Sequence, residues 1–489
     1  MSLKYKLFRD PVHGDIEVER WICSAFVDSD VFQRLRFVEQ SSMRMLFPGA
    51  RHDRFIHSLG TFLMAKRIFD ALQDSIRVCF EEEQVHEFRN TFLIAALLHD
   101  CAHSPFSHTG ESLAKYYCGS EIDKLLAGAV NDISFKNELS RSRSATHEKA
   151  SAYVACVRFE AEFSKHSINR VQLARMIIGL KNEGALNNPV MRVYNCLISL
   201  VNGFIIDVDR LDYLERDTWA TGIRNASVDL ERLISGLEID FDLGEVIINN
   251  SATSSVINAV AARDYIYKWV IPHHKVAYAN EVLERAMHAL IHALVKKSRK
   301  TRGEVGKILF SPDRLLLNGQ AKLAGETIRL PTDGDLVYLM KKYVPKDEFF
   351  MAYSERRDIH KSLWKTHAEF MHIFNPPKKG EGLNQDFWDM FAGKANAICN
   401  KYGGFATEAN PVKVSMEKVA DVKFVLKDNK QKLDLTYLLG PQRQDEGVYY
   451  LNAYIGNSYA DSTDEVMIQL RGAFDDCIKL FKASTKTNQ

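Results

Sequence analysis

Apolar residues recur at helical spacing over most of the first 300 positions of this 489-residue chain. In SDVFQRLRFVEQ, SLGTFLMAKRIFDALQDSI, TFLIAALLHD, NRVQLARMIIGL and NEVLERAMHALIHALVKK they return every third or fourth residue, which predicts amphipathic or buried helices from about Asp28 to about Lys297. The pattern differs at both ends. Residues 1–20 alternate in short segments around a Pro and a Gly, predicting a small β-hairpin. Beyond about Val412 the stretches VKFVLKD, KLDLTYLL and GVYYLNAYIG alternate with period two and predict a small antiparallel sheet. DEVMIQLRGAFDDCIKLFK then returns to helical spacing, and NPPKKGEGLNQ (375–385) reads as a loop. The basic run VKKSRKTRGEVGK (295–307) closes the helical block as a boundary or an exposed helix end. The expected fold is mainly α: a helical core over residues 1–300 with an N-terminal β-hairpin, and a smaller mixed α/β lobe over residues 301–489.

Composition narrows the class. An apolar content of 46% with 26% charged residues excludes a disordered or membrane-embedded chain. The 64 basic and 63 acidic residues nearly cancel, so no global field draws in nucleic acid or an anionic membrane. The apolar run Phe92–Leu98 is far too short to span a bilayer. MSLKYKLFRDPVHG lacks the apolar core of a signal peptide. Eight cysteines are scattered without a CxxC pair, which points to reduced thiols and a cytoplasmic setting.

Candidate chemistry concentrates in LLHDCAHSPFSHTGE (97–111). A helix from Phe92 carries His99 and Asp100 at its end and is expected to place His103 one turn beyond His99 on the same face. Pro105 breaks it, so His108 and Glu111 return by a turn or a new helix start. GARHDRFIHSLGTF supplies His57, with Arg54 one turn earlier, and FIIDVDRLDYLERDTWATG supplies Asp207 and Asp209. In the latter, Asp209, Tyr213, and Arg216 or Asp217 share a helical face, while SATHEKAS adds His147 and Glu148. Two imidazoles with two carboxylates suit Fe, Mn, Zn or Ni, and retained water positions also admit Mg. The bland alternatives are equally concrete. Asp207 and Asp209 suit helix caps, His147–Glu148 a solvated face, and single histidines a satisfied core. His288 and His292 at i, i+4 lack the glutamate of HExxH and read as core or groove residues.

The ordered motifs DPVHG, FQRLR with EQ, FPGARHDRFIHSLG, LLHDCAHSPFSH, HE, DVDRLDYLERD and HHKV, over roughly residues 4–295, resemble the HD-domain deoxynucleoside triphosphate triphosphohydrolases. The closer resemblance is to the branch of the vertebrate sterile-alpha-motif and HD-domain enzyme and its bacterial relatives. No sterile alpha motif segment is expected, because the resemblance starts almost at residue 1. It implies His57, His99, Asp100 and Asp209 as metal ligands, with an Fe- or Mg-type ion and further Mg on the bound nucleotide. His103, His108, Glu111 and His147 match the family's second catalytic layer, His108 being the candidate that protonates the 5′-oxygen. Glu111 stands for a family aspartate, one methylene longer. Arg54 matches the α-phosphate arginine, Arg210 replaces a lysine, Tyr213 and Asp217 match sugar-side residues, and Gln40 matches a contact to the 3′-hydroxyl. Asp28, Gln33 and Arg36 match guanine-reading allosteric residues. Arg232, His274 and Lys275 resemble other parts of that interface.

The resemblance thus implies dNTP hydrolysis to deoxynucleoside and triphosphate, an activating nucleotide and a homo-oligomer, with a tetramer favoured. A role in dNTP pool control or antiphage defence would follow. Departures fall on selectivity: Ser41 stands where a leucine restricts the ribose, Pro272 and His273 replace a Tyr–Gln pair at the base, and Lys268 replaces a histidine. The rivals are an HD phosphohydrolase acting on another nucleotide and a catalytically idle nucleotide sensor. Cys101-Ala102-His103-Ser104 lacks the acidic pair of guanosine tetraphosphate hydrolases, and nucleic-acid binding rests on the 295–302 basic run alone.

Overall fold

The computed structural model describes residues 4–40, 42–142, 144–203, 206–223, 228–316, 318–355, 357, 359–376, 383–408, 410–411, 423–425, 432–434 and 449–486. The fold is mainly helical, as the hydrophobic spacing predicts, with a few small sheets. The expected hairpin pairs Tyr5–Asp10 with Gly14–Glu19, Tyr5 opposite Glu19. Its turn follows from DPVHG: Asp10 Oδ1 accepts the backbone N–H groups of Val12 (2.8 Å) and His13 (2.6 Å), and Gly14 adopts φ 78°.

Two compact units divide the chain. The first comprises residues 1–263, 287–344 and 415–442, the second residues 264–286, 345–414 and 443–489. In the first unit the Glu82–Leu98 helix is the core element, with Thr91 through Leu98 buried on every side. Burying Leu93, Ile94, Leu97 and Leu98 favours folding by roughly 2 kcal/mol each. The Arg54–Arg77 helix packs against it and against the Val208–Thr221 helix, while the Ser107–Val130 helix packs on Thr146–Arg158 and Arg302–Phe310. Side-chain caps set the starts: Asp53, Asn169, Asn188 and Asp207 each accept a backbone N–H from the first turn that follows.

Two sheets depart from the sequence pattern. Leu237–Asp240 and Glu245–Asn249 form a hairpin inside the stretch read as helical, and Lys423–Val425 adds to it in parallel, with Lys432–Asp434 outermost. The C-terminal alternating segments therefore do not make one sheet. Ala453–Gly456 pairs instead with His360–Ser362 and Phe405–Ala406 in the second unit. Short strands carry little register information of their own, and partners far apart in sequence decide the pairing. Residues 435–448, which include part of the predicted strands, lie outside the described residues.

The second unit is organised by aromatic packing. Trp364, Phe370, Phe374, Phe387, Trp388 and Phe474 are buried together, and the Trp364 indole donates to Leu451 O at 2.8 Å. The closing helix spans Thr463–Lys486. Among the described residues no helix is long and apolar enough to cross a membrane.

All eight cysteines are free thiols, and only Cys79 is exposed. Burial pushes the thiols of Cys156, Cys196 and Cys399 up to about 12, which suppresses the reactive thiolate. An aromatic disulfide reagent should therefore titrate one thiol rapidly in the native protein and eight after denaturation. Two or more rapid thiols would contradict this packing.

Candidate active site

Three helix ends converge on the candidate site. Asp53 caps the Arg54–Arg77 helix through Ile56 N (3.0 Å), which puts His57 in the first turns. The core helix ends at Leu98, so His99 and Asp100 leave it just as the chain turns. Asp207 caps the Val208–Thr221 helix through Arg210 N (2.9 Å), which puts Asp209 in its first turn. Close approach of the first and third helices requires Gly60: a Cβ there would lie 1.8 Å from Asp212 Oδ1.

His57 Nε2 lies 3.0 Å from Asp209 Oδ1 and 3.6 Å from Asp100 Oδ2. His99 Nε2 lies 3.3 Å from Asp100 Oδ2 and 3.8 Å from Asp209 Oδ1. The other nitrogen of each ring is already engaged. His57 Nδ1 donates to Asp212 Oδ2 at 2.7 Å and His99 Nδ1 to Ala96 O at 2.8 Å, so both Nε2 atoms keep their lone pairs for the site. Both are buried without a hydrogen bond of their own. The ligand atoms of His57, His99 and Asp100 lie close enough together to hold a divalent cation, and Asp209 stands beside both imidazoles. The electrostatics agree. Burial opposes charge, yet Arg54 and His99 hold the Asp100 carboxyl well below the usual range. Against the same penalty, Asp100 and Asp209 raise His99, and Asp209 and Asp212 raise His57. Carboxylates that draw protons onto these imidazoles equally favour a bound cation.

Behind the donors lies a buried network that the sequence reading missed. Asp212 accepts from His57, from His13 Nε2 (2.7 Å) and from Arg216 Nε (2.8 Å) and Nη2 (2.7 Å), and Arg216 Nη1 reaches Asp10 Oδ2 at 2.8 Å. Burial alone would raise Asp212, but Arg216, His13 and His57 hold it well below the carboxylate range. DPVHG is therefore the outer support of a donor histidine. One signal was available: Asp212 and Arg216 form an i, i+4 acid–base pair on the Val208–Thr221 helix. Their partners Asp10 and His13 stand some 200 positions earlier and could not be read from it.

The expected placement of His103 on the core helix is corrected. The chain turns through residues 99–102, with His103 N donating to Asp100 O at 3.0 Å, and a helix resumes only at Ser107. Phe106 (φ 60°) and Ser107 (φ 51°) are both left-handed, which reverses the chain after Pro105. Even so, His103 stacks on His147 at 4.3 Å between ring centroids, and His108 lies edge-on to both at 5.1 and 5.6 Å. His103 is fully buried with neither ring nitrogen hydrogen-bonded. Burial, Arg54 and His147 lower its pKa well below the usual histidine range. Glu111 accepts from His147 Nδ1 (2.7 Å) and His108 Nδ1 (3.3 Å), so its longer arm spans both rings. Burial pushes this carboxyl up, but the two imidazoles prevail and hold it well below the usual range. Burial likewise opposes charge on His147, and Glu111 raises it.

The remaining candidates surround these clusters. Arg54 is buried, pairs with Asp100 and donates from Nε to Ser107 Oγ at 2.8 Å. Arg210 Nη1 pairs with Asp207 at 2.6 Å. Asp217 lies 2.9 Å from His52 Nε2, the backbone N–H of Gln40 donates to His52 O (3.2 Å), and the buried side-chain Oε1 of Gln40 accepts no hydrogen bond among the described residues. Tyr213 is half-buried one turn after Asp209, and Ser41 lies outside the described residues. Asp28 pairs with Lys6 at 3.1 Å. Gln33 bonds Val27 O (2.7 Å) and Arg36 Nε (2.9 Å), and Arg36 lies over the Phe55 ring at 3.5 Å. Arg232 Nε donates to Ser251 O at 2.8 Å. His274 and Lys275 begin the His274–Ser298 helix, in the part of it that belongs to the second unit.

A helical core with histidines and aspartates gathered at its helix ends is the arrangement of an HD domain. Residues 54–214 match the HD domain model, and this part of the chain is an HD domain. The chain is 24% identical over 366 residues to an uncharacterized Bacillus subtilis protein, covering 75% of this chain and 72% of that one. It is 29% identical over 247 residues to the deoxynucleoside triphosphate triphosphohydrolase SAMHD1 of Danio rerio, covering 47% of this chain and 36% of that enzyme. For the SAMHD1 homolog of Dictyostelium discoideum the identity is 29% over 232 residues, with 47% and 39% covered. The chain thus spans well under half the length of the named triphosphohydrolases that it matches. A hypothetical protein from Aquifex aeolicus shares the fold at TM-score 0.61 and 20% identity, over 95% of this chain and 100% of that one. A Bacteroides thetaiotaomicron phosphohydrolase shares it at TM-score 0.61 and 19% identity, over 92% and 99%.

The Asp212 support makes a direct prediction. Asp212→Ala should weaken divalent-metal binding by about ten- to hundred-fold, read by titrating Mn²⁺ into chelator-stripped protein. Affinity equal to wild type would show that this network does not orient His57.

Proposed function

We propose that this chain is a metal-dependent dNTP triphosphohydrolase that cleaves a dNTP to deoxynucleoside and intact triphosphate. The observation that carries the reading is the adjacency of two different clusters. His57, His99 and Asp100, able to hold a cation and flanked by Asp209, adjoin an imidazole group organised by Glu111, and Arg54 reaches Asp100 on one side and Ser107 on the other. The named triphosphohydrolases among the relatives support the choice of substrate.

His57, His99, Asp100 and Asp209 would hold the metal, of Fe, Mn, Mg, Zn or Ni identity, with Mg accompanying the nucleotide. Bound there, a divalent ion supplies charge neutralisation at the α-phosphate and a more acidic water. The chain's own residues do the rest. Arg54 offers a fixed, fork-shaped cation to the α-phosphate, and Arg210 offers a second. As water attacks the α-phosphorus and the bond from phosphorus to the 5′-oxygen breaks, His108, exposed at its outer edge and hydrogen-bonded to Glu111, donates a proton to that leaving oxygen. Glu111 orients His108 and His147 together, and His103 fills the buried side of the group. Gln40, Tyr213 and Asp217 face the sugar.

An activating nucleotide binds through Asp28, Gln33, Arg36, Arg232, His274 and Lys275 in a cytoplasmic homo-oligomer, a tetramer by resemblance, that serves dNTP balance or antiphage defence. One observation favours a second reading, an HD-fold nucleotide sensor: Arg54 and Arg210 are both engaged by carboxylates of the chain itself.

Incubating the protein with each dNTP, singly and mixed, in Mg²⁺ or Mn²⁺ should release deoxynucleoside and triphosphate. His108→Ala should lower kcat by on the order of 10²–10⁴, and Asp209→Ala should abolish turnover. Monophosphate and pyrophosphate as products would sink the proposed cleavage. Nucleotide binding without turnover would select the sensor, and rates that merely add in mixtures would remove the activation step.

A further inference from the structure

The turn carrying His103 and His108 is held from outside the HD domain. Two forked side chains grip it. Arg34 donates from Nη2 to His103 O (2.7 Å) and from Nε to Pro331 O (2.6 Å). Asp333 accepts the Phe106 N–H on Oδ1 (2.6 Å) and the Glu39 N–H on Oδ2 (2.9 Å). The two grips bracket the segment that ends in the left-handed residues Phe106 and Ser107. Non-glycine residues persist in that conformation only where their surroundings over-determine it. Other contacts support the same turn. Ser107 Oγ donates to Glu39 O, Arg54 Nε donates to Ser107 Oγ, and a Cβ on Gly110 would lie 2.0 Å from Pro105 O.

Asp333 is not needed to cap its own helix. Thr332 and Asp335 form that capping box, with Asp335 Oδ2 accepting from Thr332 N at 2.9 Å and from Thr332 Oγ1 at 2.6 Å. The Asp333 carboxylate is turned instead onto two backbone amides, one next to Gln40 and one two residues before His108.

We propose that Asp333, with Arg34 opposite it, is a positioning residue that sets the His103–His108 turn against the Gln40 segment, so that the hydrolytic site is completed by a helix beyond the HD domain. The proposal rests on the hydrolase reading for its effect on turnover, whereas the clamp itself has a separate readout. Asp333 touches no donor of the metal cluster, so its loss should leave metal content intact.

The test uses full-length Asp333→Asn, Asp335→Asn and Arg34→Lys. Asp333→Asn keeps the side-chain volume but turns an NH₂ toward one of the two amides. Asp335→Asn loosens the same helix start without touching the turn. Asp333→Asn should lower kcat/KM by on the order of ten- to hundred-fold with metal per chain unchanged. Asp335→Asn should stay within about two-fold of wild type. Amide hydrogen exchange should quicken at Glu39 and Phe106 in Asp333→Asn and not in Asp335→Asn. Should Asp333→Asn fail to fold, Arg34→Lys, which cannot grip both carbonyls, must lower kcat/KM in the same direction. Unchanged exchange at Glu39 and Phe106, an activity loss that Asp335→Asn reproduces, or one that tracks metal loss overturns the proposal. If the wild type hydrolyses no nucleotide, the functional reading fails by itself and the two amides decide the clamp: faster exchange sustains it, unchanged exchange ends it.

Discussion

The buried Asp212 carboxylate is the constraint on which the candidate site depends. An ionised carboxylate removed from water is tolerated only when cations and hydrogen bonds surround it. Asp212 has Arg216, His13 and His57 around it, and Arg216 is held in turn by Asp10. The same contacts join the N-terminal hairpin, the Arg54–Arg77 helix and the Val208–Thr221 helix. A network that stabilises the junction therefore also fixes which nitrogen of His57 faces the donor cluster. Gly60 belongs to this constraint, because any side chain there would displace the carboxylate.

The two clusters divide the work by their surroundings. Around His57 and His99 the nearest groups are carboxylates, which favour positive charge on or between the imidazoles. Around His103, burial, Arg54 and His147 outweigh Asp100 and lower the proton affinity of the ring. Glu111 separates His147 from this trend and holds its ring charged more readily. Neighbouring histidines thus differ in proton affinity because different partners surround them, which is the usual basis for assigning acid and base roles.

Much of the site was legible because ligand-bearing segments sit at helix ends that periodicity and capping residues mark. Asp207 announces the start of its helix, and the apolar run before His99 announces an end. His57, His99, Asp100, Asp207 and Asp209 could be named as candidates in this way, whereas the choice of His57, His99, Asp100 and Asp209 as a ligand set came from the family resemblance. Helical spacing extended past Leu98 misplaces His103, because the chain turns at once and reverses through Phe106 and Ser107. Left-handed non-glycine residues carry no reliable sequence mark. The Leu237–Asp240 and Glu245–Asn249 hairpin was hidden for a similar reason: its strands are short, and one of its partners, Lys423–Val425, is remote.

Sequence alone determined the helical class, the N-terminal hairpin, the closing amphipathic helix and the residue types available for metal and phosphate chemistry. Those properties follow from local spacing and side-chain chemistry. Tertiary structure decided which polar groups are buried together, which imidazole nitrogen each donor presents, and how Glu111 is shared between two rings. It also decided that Asp10, Arg34 and Asp333 support a site far from them in the chain. Long-range hydrogen bonds obey distance and direction in space, and neither quantity is encoded in the spacing of residues along a chain.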